Sequence, residues 1–277
     1  MSIYSRRYSR YEGPIEPQKT RFAVIADTEV RRLFQQKWVR RLIYMAMSPV
    51  LGFIVYLYFQ LMVQKLMNTE QLSSDVLLWL FQTETWFVVI MMAAFGSGMI
   101  ARDVGGRALT LYFTRPLGVM QYLGGKLLAV MVPVLAVTLV PGILLALSQL
   151  LMSDPMQVGA FVDAVWRVAA WSLLVSFVLS TVILLLSALG MSSRYVGLVW
   201  LALFVFLDIA HGVLSSVAGN SKLLDLMSIK TLCYAYAELL FRHDGSQLPA
   251  LVALVLLGAF AFVALRARLG VLEQRAR

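Results

Sequence analysis

LLAVMVPVLAVTLVPGILLALSQLLM, Leu127–Met152, runs without a charged residue. At 1.5 Å per residue a helix of this length crosses the ~30 Å hydrocarbon core of a bilayer. Immediately before it stands RDVGGRALTLYFTRPLGVMQYLGGK, Arg102–Lys126, which is basic and glycine-rich. Before that lies a second apolar run, Leu78–Ala101. Two membrane-length runs flanking a polar connection decide the class: an all-α polytopic membrane protein. A TIM barrel or doubly wound fold would alternate short apolar strands with amphipathic helices, and these runs are too long for that.

Composition agrees. Of 277 residues, 60% are hydrophobic and only 14% are charged, whereas soluble domains are nearer half apolar and a quarter charged. Further runs give six expected spans: about Leu42–Val63, Leu78–Ala101, Leu127–Met152, Trp166–Leu189, Val196–Val217 and Leu248–Arg266. Pro49 with Gly52, and Pro133, Pro141 and Gly142, are expected to kink the first and third. The net charge of +9 needs no nucleic-acid partner, because Lys and Arg collect in cytoplasmic segments. With the N-terminus inside, 19 of the 24 Lys and Arg residues fall on the cytoplasmic side. Both termini are therefore expected in the cytoplasm and the chain in the cell (inner) membrane. No apolar core of a signal peptide precedes Leu42.

The expected organisation is a flexible tail over 1–21, an interfacial helix over 22–41, the six-span domain over 42–266 and a short cytoplasmic tail over 267–277. In the second segment Phe22, Ala26, Val30, Leu33, Phe34 and Trp38 share one helical face, with Arg31, Arg32 and Arg40 elsewhere. That pattern fits a helix lying in the headgroups; packing against protein is the alternative. Ala218–Gln247 is apolar but interrupted by Asp225, Lys230 and Glu238, so one or two short re-entrant or interfacial helices are expected to cap the outer end.

No catalytic pattern is visible. Gly124-Gly125-Lys126 is followed by Leu127, so it is no phosphate loop. No H-E-x-x-H and no paired Cys/His set for a metal occurs, and the single cysteine, Cys233, excludes an intrachain disulfide. Catalytic and metal residues are thus expected to be none, and any ATP hydrolysis to reside on another chain.

Three polar positions in the spans stand out. Asp208 and His211, three apart, share a face of the fifth span. They either line a transport pathway or dimer seam, or form a mutually hydrogen-bonded pair that holds packing. Glu84, beside Gln82 and Thr83, makes the outer end of the second span polar, as an outer vestibule or as its water-facing edge. Small residues at Ala93, Ala94, Ser97 and Gly98 allow close helix approach. Trp79, Trp86, Trp166 and Trp171 are expected to form an interfacial belt, and Asp163 with Arg167 a helical ion pair.

The 102–126 segment is long for a bundle connection, at about 25 residues, and carries apolar residues that need a surface. Val104–Phe113 is read as a short amphipathic helix and Pro116 as the start of a second. Asp103, Gly106 with Ala108-Leu109-Thr110-Leu111, Thr114-Arg115-Pro116 and Gly125-Lys126-Leu127-Leu128 follow in order. This pattern resembles the cytoplasmic loop between the second and third spans of the ABC-2 permeases of ABC transporters, which reads acidic–Gly-Thr-Leu, a small helix, Ser-Arg-Pro, then Gly-Lys-Leu-Leu. Arg107 interrupts the Gly-Thr-Leu element here. The resemblance extends to an amphipathic elbow helix, six spans and helices between spans five and six.

It implies a non-enzymatic permease subunit that pairs with a second copy or paralogue and binds cytoplasmic ABC ATPases. ATP and magnesium would sit on those partners. Asp103, Gly106, Leu109, Arg115 and Pro116 are the implied ATPase-coupling residues. The rival readings are a non-transporting ABC-like scaffold that transmits force, and an ATP-independent secondary transporter using Asp208 and His211. Besides membrane lipid no other partner is implied, and the substrate is left open.

Overall fold

The computed structural model describes residues 21–67, 75–106, 108–109, 118–153, 156–190, 192–219, 222–243 and 245–276. The helices are α1 (Arg21–Gln35), α2 (Lys37–Met67), α3 (Asp75–Met91), α4 (Gly98–Gly105), α5 (Val119–Met152), α6 (Val158–Ser187), α7 (Ser193–Ala218), α8 (Lys222–Asp225), α9 (Ile229–Arg242) and α10 (Leu248–Ala276). Among the described residues six stretches are long and apolar enough to span a membrane: Lys37–Gln64, Val76–Gly105, Val119–Met152, Val158–Ser187, Ser193–Val217 and Gly245–Gln274. The chain is an all-α polytopic integral membrane protein.

The first polar segment breaks at Gln36, earlier than the sequence pattern indicates. Trp38 therefore belongs to α2, the first membrane helix, and is half-exposed there. The remaining apolar face of α1 rests partly on protein. Ala26 and Leu33 are buried against the start of α5, with Val30 and Phe34 packed beside them. Close approach is possible because α5 carries Gly125. A Cβ there would stand 2.7 Å from Ile25 Cβ and 2.9 Å from the Phe22 carbonyl oxygen.

The second span is interrupted. A π-helical turn, Met92–Gly96, separates α3 from α4, with Ser97 N donating to Met92 O at 3.0 Å. The break leaves the first amides of α4 without helical acceptors. Ser187 of α6 fills that role: its Oγ accepts from Ile100 N (3.0 Å) and Ala101 N (2.9 Å) and donates to Ser97 O (2.8 Å). The small residues from Ala93 to Gly98 thus mark a helix defect as well as a packing surface.

α5 and α6 form the centre. Pro133 and Pro141 both lie inside α5, which continues through them. A Cβ at Gly142 would fall 2.6 Å from Val168 Cγ1, so glycine sets this helix contact. α2, α7 and α10 surround them and expose large apolar side chains such as Leu51, Phe59, Phe206 and Phe260. In a bundle solvated by lipid tails, such faces carry no penalty.

Two boundaries move substantially. α5 starts at Val119, not after Lys126, so Gln121–Lys126 are helical. Reading the span start from the lysine fails because that lysine is ion-paired inside the bundle. α10 continues to Ala276, with Leu269 buried and Arg268 Nε donating to Ala188 O at 3.3 Å. Residues expected as a tail are therefore a helical extension packed on the end of α6.

Candidate functional site

Two groups of charges sit at opposite ends of the bundle. At the α1 end, Lys126 is 1% exposed. Its Nζ lies 2.7 Å from Glu29 Oε1 of α1 and 2.8 Å from Asp103 Oδ2 of α4. Tyr122, one turn before it on α5, donates its hydroxyl to the same Asp103 oxygen at 2.7 Å. The ammonium also stands 5.6 Å from the centre of the Tyr122 ring. One cation thus holds two carboxylates from two other elements. A buried charge with several charge-assisted partners is retained in low dielectric; stripped of them it is strongly unfavourable.

This geometry places the expected coupling residues unevenly. Asp103 points inward to Lys126 and Tyr122. Gly106 is exposed in the turn that ends α4, with its N–H on Arg102 O at 2.9 Å. Leu109 is buried in the core. Arg115 and Pro116 lie outside the described residues, as does half of the expected helix over Val104–Phe113, namely Arg107 and residues 110–113. Its first residue, Val104, belongs to α4 and so to the end of the second span.

The opposite end is closed by α8 and α9, which pack against the spans as the interrupted 218–247 segment predicts. Arg167 of α6 donates to Leu240 O at 2.9 Å and pairs with Asp163. Deeper, Trp171 Nε1 donates to Cys233 O at 3.0 Å. Trp171 lies thirteen residues into α6, about 20 Å along it, so α9 runs well into the bundle. Trp171 is accordingly 1% exposed and stacks on Phe81 at 4.2 Å. It is a core residue, not part of an interfacial belt; Trp79 and Trp166 remain exposed as a belt requires.

Asp208 and His211 do not pair with each other. Asp208 Oδ2 accepts from Lys230 Nζ at 3.0 Å, and that ammonium sits 5.0 Å from the Trp86 ring centre. His211 Nε2 lies 2.9 Å from Asp225 Oδ1. Each residue of α7 is thus matched by an opposite group on the α8–α9 segment. Two of the three charges that interrupt that segment, Asp225 and Lys230, are thus the ones that fasten it to α7.

Glu84 differs from all of these. It is 0% exposed, and neither carboxylate oxygen has a hydrogen-bond partner among the described residues. The second span is buried at this level under α9 and its neighbours, so Glu84 is not a water-facing edge.

Sequence reasoning did not single out Glu29, Tyr122, Ser187, Asp225 or Lys230 as partners. For Glu29 a signal existed: it is three residues after Ala26 and four before Leu33, so an acid interrupts the buried stripe of α1. Asp27, by contrast, pairs with Arg31 on the exposed side at 2.8 Å. Among the described residues no group of three His, Cys, Asp or Glu side chains could hold a metal ion. No family model matches the chain, and no curated protein matches its sequence.

Proposed function

We propose that this chain is the membrane-spanning subunit of an ABC-type exporter, with transport driven by ATP and magnesium on a separate cytoplasmic ATPase. The observation that carries the reading is the Glu29–Lys126–Asp103 cluster. It fastens α1, α4 and α5 to one another at the base of the 107–117 segment. A force applied to that segment by an ATPase would reach the second span, the third span and the amphipathic helix together. Such a junction suits a device in which the nucleotide state of a partner selects between two bundle packings. The ordered Asp103, Thr114-Arg115-Pro116 and Gly125-Lys126 pattern supports the same assignment. The permease would work as a pair, with a second copy or a paralogue, its termini and the 107–117 segment in the cytoplasm.

A cysteine placed at Phe113 tests this reading in native membranes. Background is low because Cys233 is the single cysteine in the sequence and is buried. Cross-linking from position 113 is expected to capture a polypeptide that binds a photoreactive ATP analogue. Cross-linking that captures only lipid or this chain itself would contradict the assignment.

Glu84 favours a second reading, an ATP-independent transporter coupled to an ion or proton. An ionisable group inside the membrane marks a functional site by default, and this one has no hydrogen-bond partner among the described residues. In that case Glu84→Gln would abolish a flux that follows an ion gradient and persists without ATP. Asp208 and His211 are weaker supports, because their partners Lys230 and Asp225 already satisfy them.

A further inference from the structure

Beside the π-helical turn, α3 and α7 enclose a laterally open groove of about 530 Å³. Its walls are apolar or small: Ile90, Ala93 and Ala94 on one side, Gly197, Leu198 and Leu201 on the other. Ile90, Ala94 and Leu198 are exposed, so the groove opens on the face that meets lipid tails. The size lies within the range of sites that hold a small organic ligand.

The mouth of the groove is polar. Ser193 and Arg194 line it, and Ser193 Oγ is 3.4 Å from Ser97 Oγ. Arg102 joins them across Gly98: a Cβ at Gly98 would meet Ser193 Oγ at 2.8 Å and Arg102 Nε at 2.9 Å. Arg102 and Arg194 are both exposed. Neither forms an ion pair among the described residues, since the nearby acid, Asp103, is held by Lys126. Among the described residues Arg102 makes one hydrogen bond, from Nε to Gly98 O at 2.9 Å, and its terminal nitrogens are available there to bind an anion. Two guanidinium groups with no ion pair among the described residues therefore stand at the membrane-end mouth of an apolar groove.

We propose that this groove binds one anionic phospholipid of the adjoining leaflet. An acyl chain would lie along Ile90, Ala94, Leu198 and Leu201, and the phosphate would meet Arg102 and Arg194. Basic pockets between transmembrane helices recognise anionic headgroups in this way, and arginine matches phosphate with paired donors. The same face is a poor symmetric contact between two copies of the chain. A two-fold interface presents the same patch twice, which would bring four such guanidinium groups together. The lipid would span the two helices beside the break at Met92–Gly96 and so bias the packing of the second span against the fifth.

The full-length chain, purified in mild detergent with a defined mixture of phosphatidylglycerol and phosphatidylcholine, tests this by native mass spectrometry. The wild type is expected to retain one phosphatidylglycerol with at least about a tenfold preference, the scale of one to two basic contacts. A double variant, Arg102→Gln with Arg194→Gln, is expected to bring the preference near parity. Ala94→Phe fills the groove and is expected to remove the bound lipid although both arginines stay. Arg266→Gln, an exposed arginine on α10, is expected to leave retention unchanged. Equal retention by the wild type and the double variant overturns the proposal. So does full displacement of the lipid by glycerol phosphate, which would make the site a headgroup site alone. A change of oligomeric state on Ala94→Phe, with no change in lipid, would instead make the groove a contact between copies. If Ala94→Phe misfolds by circular dichroism, the surface double variant alone decides.

Discussion

Replacing Lys126 by Met removes the cation that Glu29 and Asp103 share, while keeping a long apolar stem in the same space. The two carboxylates are both within hydrogen-bond distance of one Nζ. Left without it, they would face each other at about 5 Å, a repulsion of roughly 3 kcal/mol at an effective dielectric constant of 20. Breaking a buried ion pair from one side costs about 3–5 kcal/mol. The carboxylate side chains are 11% and 16% exposed, and protonation or water entry can relieve part of the cost, so the low end applies. Lys126→Met should therefore lower the unfolding free energy by about 3 kcal/mol. Reversible unfolding in mixed micelles, or steric trapping in bicelles, reads this value. The matched triple variant, with Glu29→Gln and Asp103→Asn added, removes the orphaned charges and should recover most of the loss. A Lys126→Met variant within about 0.5 kcal/mol of wild type would refute the claim that this cluster joins the three helices. So would a triple variant no more stable than the single one.

Ser187→Ala leaves Ile100 N and Ala101 N without an acceptor at the break in the second span. A loss of about 1–2 kcal/mol is expected, with faster amide exchange at those two positions; exchange as slow as wild type would show the break is capped otherwise. Gly125→Leu forces α1 away from α5 at a cost of about 1–3 kcal/mol. It should raise protease sensitivity within Arg21–Gln35, and unchanged cleavage would count against the packing described. A double-mutant cycle on Asp208→Asn and Lys230→Met should give a coupling of about 1 kcal/mol or more; a coupling near zero would mean that α9 is held by its apolar contacts alone.

The class of fold was legible because apolar length is a one-dimensional property. Leu127–Met152 declares a span whatever it packs against, and the interrupted 218–247 segment declares a capping element by its charges. Partner choice was not legible, because it depends on distances that the chain closes only in three dimensions. Asp208 and His211 looked like a pair since they are three apart on one face, yet each is matched by a residue from the next connection. Lys126 looked like the edge of a loop because a lone lysine ends an apolar run. Glu29, 97 positions earlier in the chain, is what allows it inside. The π-helical turn left only a trace, small residues that also fit ordinary close packing. Arg115 and Pro116 are named by the sequence pattern alone.

The most direct measurement is a mild-detergent purification of the full chain from its native membrane, with co-purifying proteins identified and assayed for ATP hydrolysis. A stoichiometric ATPase should be recovered, and it should be lost on combining Arg115→Glu with Pro116→Ala while the bundle keeps its helical content. A chain that purifies intact with no ATPase would contradict the permease assignment, and ion-driven flux through Glu84 would become the reading to test.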